Sequence, residues 1–132
     1  MIVTFFLLST FPFVLADVPL EVFSPLIEQK ILATYDALPS PIKYPQYTST
    51  SGDWMYFDPN TWTSAFFPSS LYLLNTRAKL CGGAASNDLV GTADLVDLAR
   101  SASTALLSID ASGGVEHDVG FISFAFVEEL AV

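Results

Sequence analysis

The stretch Leu95-Val96-Asp97-Leu98-Ala99-Arg100-Ser101-Ala102-Ser103-Thr104-Ala105-Leu106-Leu107-Ser108-Ile109 decides the fold class. Leu95, Leu98, Ala99, Ala102, Ala105, Leu106 and Ile109 recur in steps that place them on one face of a helix. The alanines in that face allow close approach of a neighbouring helix. An apolar face of this kind needs a partner, and the chain offers one on each side. Upstream, Phe67, Leu71, Leu74 and Ala78 keep helical spacing over 61–79. There Asn60 reads as an N-cap and Pro68 either opens or kinks the helix. Arg77 and Lys79 suit its C-terminus, and Gly82-Gly83 ends it. Downstream, Ser112-Gly113-Gly114 is a turn, and a fourth helix starts near Asp118.

The first mature helix opens at Ser24-Pro25, a capping hydroxyl followed by proline at the first helical position. Phe23, Ile27, Ile31 and Tyr35 repeat every four residues, with Leu20, Leu26 and Leu38 beside them, and Glu28, Gln29 and Lys30 fall on the other side. Leu38-Pro39-Ser40-Pro41 stops the helix. No period-two strand pattern appears. The sequence therefore predicts an all-α domain of helical hairpins, with about four helices near 25–38, 61–79, 88–108 and 119–130.

Residues 39–60 form a long loop that holds Tyr44, Tyr47, Trp54, Tyr56 and Phe57. Such a loop in a small domain is often functional. Its rings suit a rim on which a sugar stacks, or else they pack the loop onto the body. His117, the single histidine, is followed by Asp118, Gly120 and Phe121. An imidazole and a carboxylate at the mouth of an apolar segment can handle protons and bind hydroxyls. Asp118 alternatively reads as a simple N-cap.

The whole chain has 132 residues, with 14 acidic and 5 basic side chains and a formal charge of −9. That balance argues against nucleic acid and anionic membrane surfaces as partners. An acidic sugar would need a local basic or hydrogen-bonding site. With 52% apolar and 14% charged residues, the composition excludes a disordered chain. Cys81 is the one cysteine, so no intrachain disulfide can form. No CxxC, HExxH or His/Cys cluster occurs, so no metal and no cofactor is expected. Residues 1–16 are almost wholly apolar up to Val14-Leu15-Ala16, which predicts a secretory signal peptide cleaved before Asp17. A buried N-terminal helix is the alternative, which Pro12 disfavours. The mature chain 17–132 is then secreted, with no membrane attachment.

Two motifs carry a resemblance. Trp62-Thr63-Ser64-Ala65-Phe66-Phe67-Pro68, followed by Leu71-Tyr72-Leu73-Leu74, resembles a W-T-S-G-F-F-P-G-x-L-W-x-L stretch. His117-Asp118-Val119-Gly120-Phe121 resembles an H-D-[IVL]-G-F stretch. Both belong to glycoside hydrolase family eighty-eight, which contains the unsaturated glucuronyl hydrolases. The Tyr47…Trp54…Asp58-Pro59 segment is similar in order and spacing, and the likeness spans roughly residues 44–121.

The resemblance implies an (α/α)6 barrel, a toroid of six helical hairpins. It also implies hydrolysis of oligosaccharides that end in a 4,5-unsaturated uronic acid. In that reaction an acid protonates C4, water adds at C5, and the product rearranges to release the sugar. Asp118 matches an active-site aspartate of the family. Trp62, His117 and Phe121 match substrate-binding positions. Ala65 and Ser69 stand where the family has glycines. The family's second catalytic aspartate falls beyond Val132. Twelve helices need on the order of 250 residues, so residues 17–132 correspond to an N-terminal portion of such a domain, inactive alone. A non-catalytic sugar-binding remnant and a small secreted helical interaction protein are the competing readings.

Overall fold

A computed structural model describes residues 24, 26–80, 94–109 and 115–132. The predicted signal segment 1–16, Pro25, Cys81, Gly82-Gly83 and Ser112-Gly113-Gly114 lie outside the described residues. Five α-helices are present among those described: α1 (Leu26–Asp36), α2 (Phe66–Leu80), α3 (Leu95–Ser103), α4 (Val119–Ile122) and α5 (Phe124–Glu129). A 3-10 turn over Thr104–Ser108 extends α3, and another over Glu116–Asp118 leads into α4. Among the described residues the fold is all-α apart from one small hairpin, and a helical segment falls in each of the four predicted ranges.

Leu26 N–H donates to the Ser24 hydroxyl at 3.3 Å, which satisfies one of the free donors at the start of α1. Asp94 caps α3, its carboxylate accepting from the Val96 and Asp97 N–H groups at 3.0 and 3.1 Å. Pro68 is the third residue of α2. Its missing N–H falls among those that have no helical acceptor, so it opens the helix without kinking it. Asn60 is not the cap of α2. Residues 59–65 form a turn, and the regular helix begins only at Phe66.

α2 is the central element. It packs most extensively on α3, then on α5, and it touches α1. Phe67, Leu71 and Leu74 from α2 meet Leu95, Ala99 and Ala102 from α3, and Leu106, Val115, Ile122 and Ala125 complete the core. Ala99 and Ala102 have no exposed surface. Their methyl side chains let the two helices approach closely, as the alanine-rich face implied.

Residues 39–60 depart from the expected loop. Tyr44–Thr48 (β1) and Trp54–Phe57 (β2) pair antiparallel, with Tyr44 opposite Phe57 and Thr48 opposite Trp54. Register shifts between Pro45 and Tyr47, so alternation is broken within five residues. Gly52 takes φ of +90° in the turn, where other residues would be strained. A lone hairpin is marginal in water. This one is held by Tyr44, which is 1% exposed and donates its hydroxyl to the Ala102 carbonyl at 2.6 Å.

Glu28 is a second departure. The spacing puts it on the solvent side of α1, yet it is 2% exposed. On the helix it is one turn from Ile31 and Leu32, both packed on the core. The Arg77 guanidinium lies 3.8 Å from its carboxylate. Arg77 thus serves a buried charge rather than only the end of α2.

Candidate functional site

The turn before α2 is tied down by its own polar groups. Thr61 Oγ1 donates to the Asp58 carbonyl at 3.2 Å and shares a 2.8 Å hydrogen bond with Ser64. Ser64 and Ala65 are fully buried, which anchors the turn. Trp62 and Phe66, one helical turn apart, are then presented outward at 47% and 39% exposure. From the other end of the chain, Ile122 and Ala125 face the core at 4% and 0% exposure. The residues before them, Phe121 and Phe124, therefore project outward.

These two pairs meet. The Trp62 ring centroid is 5.8 Å from that of Phe121 and 5.7 Å from that of Phe66, in edge-to-face geometry. Phe66 lies 6.2 Å from Phe121 and 6.1 Å from Phe124, and Phe121 and Phe124 are 6.0 Å apart. The four rings form one aromatic face, each ring keeping two-fifths or more of its surface in water, or close to it. Sequence reading picked Trp62 and Phe121. It missed Phe66 and Phe124, which spacing from these two residues would have found. Ala65 and Ser69 are buried, at 0% and 7% exposure, so their side chains stand away from the aromatic face.

His117 and Asp118 sit one turn ahead of Phe121. His117 Nε2 is 3.3 Å from Asp118 Oδ1, with the imidazole 86% exposed and the carboxylate 31%. The capping alternative for Asp118 fails: its backbone is already helical (φ −79°, ψ −3°) and its side chain makes no capping bond. The helix it would cap is also not continuous. It is broken at Ser123 into the short α4 and α5.

A second polar cluster lies between the helices. Tyr72 donates its hydroxyl to Glu129 Oε2 at 2.6 Å. Arg100 Nε donates to both carboxylate oxygens at 3.0 and 3.2 Å, and Arg100 Nη2 donates to Oε1 at 2.7 Å. The Arg100 guanidinium, then the Tyr72 hydroxyl, hold the Glu129 carboxyl below its usual range. Burial, with the Glu129 carboxylate beside it, pushes the Tyr72 phenol up to about 12. Glu129 is thus held from two neighbouring helices at once. Its role depends on α2, α3 and α5 converging, which no local pattern encodes.

The remaining aromatic residues of the hairpin divide between the two readings given to them. Tyr44 packs inward. Trp54 keeps 43% of its surface exposed and donates its indole N–H to Thr34 Oγ1 at 3.2 Å. Open clefts are also lined by described residues. One of about 370 Å³ is bordered by Asp58, Asn60 and Ser108. Another of about 240 Å³ runs between α1, the hairpin and α2. Among the described residues no group of three His, Cys, Asp or Glu could hold a metal ion, and no helix is long and apolar enough to cross a membrane. Comparison of the chain with protein-family models, with curated proteins and with solved structures finds no match.

Proposed function

We propose that the aromatic face is a sugar-stacking surface, and that the chain is part of a secreted glycoside hydrolase similar to family eighty-eight, acting on oligosaccharides that end in a 4,5-unsaturated uronic acid. One observation carries this reading: Trp62 and Phe121, one from each motif and separated by the whole of α2 and α3, lie 5.8 Å apart. A shared sugar-binding role for the two stretches requires that they converge on one surface, as these rings do.

Half-exposed rings fixed by edge-to-face packing offer a preformed apolar surface to the C–H face of a pyranose, at little conformational cost. His117 and Asp118, one turn away, supply a hydrogen-bond donor and an acceptor for ring hydroxyls. Hydration of the enol ether needs more. A proton must reach C4 while a base accepts one from the water that adds at C5, and the hemiketal then opens to release the remaining sugar. Asp118 can serve one of those roles. The other described carboxylates with assigned partners are engaged elsewhere: Glu28 by Arg77, Asp58 by Lys43, Asp97 and Glu129 by Arg100. As the resemblance implies, with its second catalytic aspartate unmatched, the 132 residues by themselves are expected to bind and not to turn over. That same engagement of carboxylates favours, as a second reading, a sugar-binding remnant without catalysis.

The test is a titration of an unsaturated uronyl disaccharide into the Trp54→Phe variant, whose single indole is Trp62. Saturable quenching, lost in Phe121→Ala, with the double-bond absorbance unchanged, is the expected result. An unresponsive Trp62 would overturn the stacking surface. It would leave a helical protein that works through protein contacts.

A further inference from the structure

We propose that the 240 Å³ cleft between α1, the hairpin and α2 is a second carbohydrate subsite that holds a hexuronate ring through Trp54 and Lys30. The cleft is lined by Lys30, Ile31 and Thr34 of α1, Trp54 of β2, and Phe66 and Ser70 of α2, among others. Its volume lies below the roughly 300–1,000 Å³ of sites that enclose a drug-sized ligand, which suits it to a single ring.

Three features point to an anionic sugar. First, the indole is locked. Trp54 Nε1–H donates to Thr34 Oγ1 at 3.2 Å, and Thr34 Oγ1 donates onward to the Lys30 carbonyl at 2.8 Å. A ring fixed before binding loses little entropy when a ligand stacks on it. Second, the charge is local and uncompensated. In a chain with 14 acidic and 5 basic residues, this lining contains a lysine and no carboxylate. Among the described residues, Lys43, Arg77 and Arg100 each have a carboxylate within 4 Å, while Lys30 and Lys79 have none, and of these two only Lys30 lines the cleft. Third, Phe66 borders both this cleft and the aromatic face. A bound chain can thus continue from one to the other.

A mostly apolar cleft with an oriented aromatic, the Thr34 and Ser70 hydroxyl oxygens as acceptors (their protons go to the Lys30 and Phe66 carbonyls), and one ammonium has the composition of a site for a ring with one apolar face and one carboxylate. An apolar peptide would make no use of the ammonium. The identification of the sugar as a uronate rests on the function proposed above; the selection for an anionic ring rests on the cleft itself.

The experiment uses the full chain carrying Trp62→Phe, so that Trp54 is the sole indole. Saturated trigalacturonate, which has no double bond, is titrated against it. Its methyl ester, which has no charge, is titrated in parallel. The acid is expected to quench Trp54 saturably, and Lys30→Gln is expected to weaken it about five-fold, the scale of an exposed ion pair. The ester should bind as weakly as the acid does to Lys30→Gln, and the substitution should leave ester binding unchanged. An unresponsive Trp54, or equal loss for acid and ester in Lys30→Gln, would overturn the proposal. Lys30 is exposed, and an unaltered far-ultraviolet spectrum of each variant confirms the fold. Unsaturated disaccharide read by Trp62 in Trp54→Phe reports the aromatic face separately. Failure there with Trp54 still responding removes that face and leaves the cleft, and the converse removes the cleft alone.

Discussion

Tyr44 is the tie between the hairpin and the helical core, and its two halves can be removed separately. Tyr44→Phe deletes only the hydroxyl that donates to Ala102 at 2.6 Å and leaves the ring in place. A buried hydrogen bond contributes about 0.5–1.5 kcal/mol net, and the carbonyl left short of a partner adds to that, so a loss of about 1–2 kcal/mol is expected. Tyr44→Ala also removes a ring that is 1% exposed. Truncations of that size cost about 3–5 kcal/mol, a third or more of the roughly 5–15 kcal/mol that typically stabilises a domain. Tyr47→Phe is the control, because Tyr47 is 53% exposed and its loss should fall within about 0.5 kcal/mol. Urea denaturation at neutral pH measures all three, with constant slope as the check that the unfolded state is unchanged. In thermal melts each kcal/mol should appear as about 4–8 °C for a domain of this size. If Tyr44→Phe and Tyr44→Ala both match the control, the hairpin is not docked through Tyr44 and the account of residues 39–60 is wrong.

Alkaline pH should destabilise the chain through its buried phenols. Burial raises Tyr72 to about 12 and Tyr44 further still, against 10.0 for an ordinary phenol. The unfolded phenols release their protons near pH 10 while the folded ones hold them, so this stability is whole below pH 10 and is lost as pH rises toward 12. The same titration on Tyr44→Phe should show a shallower fall; an identical one would refute the assignment. Ala99→Leu forces a larger side chain into the fully buried contact of α2 with α3 and should cost about 1–3 kcal/mol in the same denaturation assay. Asp118→Asn should leave the melt within about 0.5 kcal/mol, since no capping bond is lost, but should weaken disaccharide binding read by Trp62. A large drop in stability would restore the structural role that the geometry denies it.

The helices were legible because their cause is local. Apolar residues at three- and four-residue spacing must share a face, and the face from Leu95 to Ile109 reappears as the buried side of α3 and its 3-10 extension. The hairpin was not legible by alternation. β1 contains Pro45 and a register shift, and β2 is only four residues long, so neither strand shows a clean period of two. The available signal was different: two runs rich in Tyr, Trp, Phe and Thr, separated by Ser49-Thr50-Ser51-Gly52-Asp53.

What the sequence determined by itself was the class of fold and the composition of the motifs around Trp62 and His117. The tertiary structure decided which residues face one another. Glu28 was misplaced because one turn of helix offers a carboxylate to solvent or core equally well until a neighbour such as Arg77 is brought alongside. Phe66 and Phe124 joined the aromatic face, and Glu129 joined Tyr72 and Arg100, only because α2, α3 and the C-terminal helices converge. Periodicity records the direction of a side chain about its own axis. It carries no information on the angle and register at which two such axes pack, and those fix which polar and aromatic groups meet.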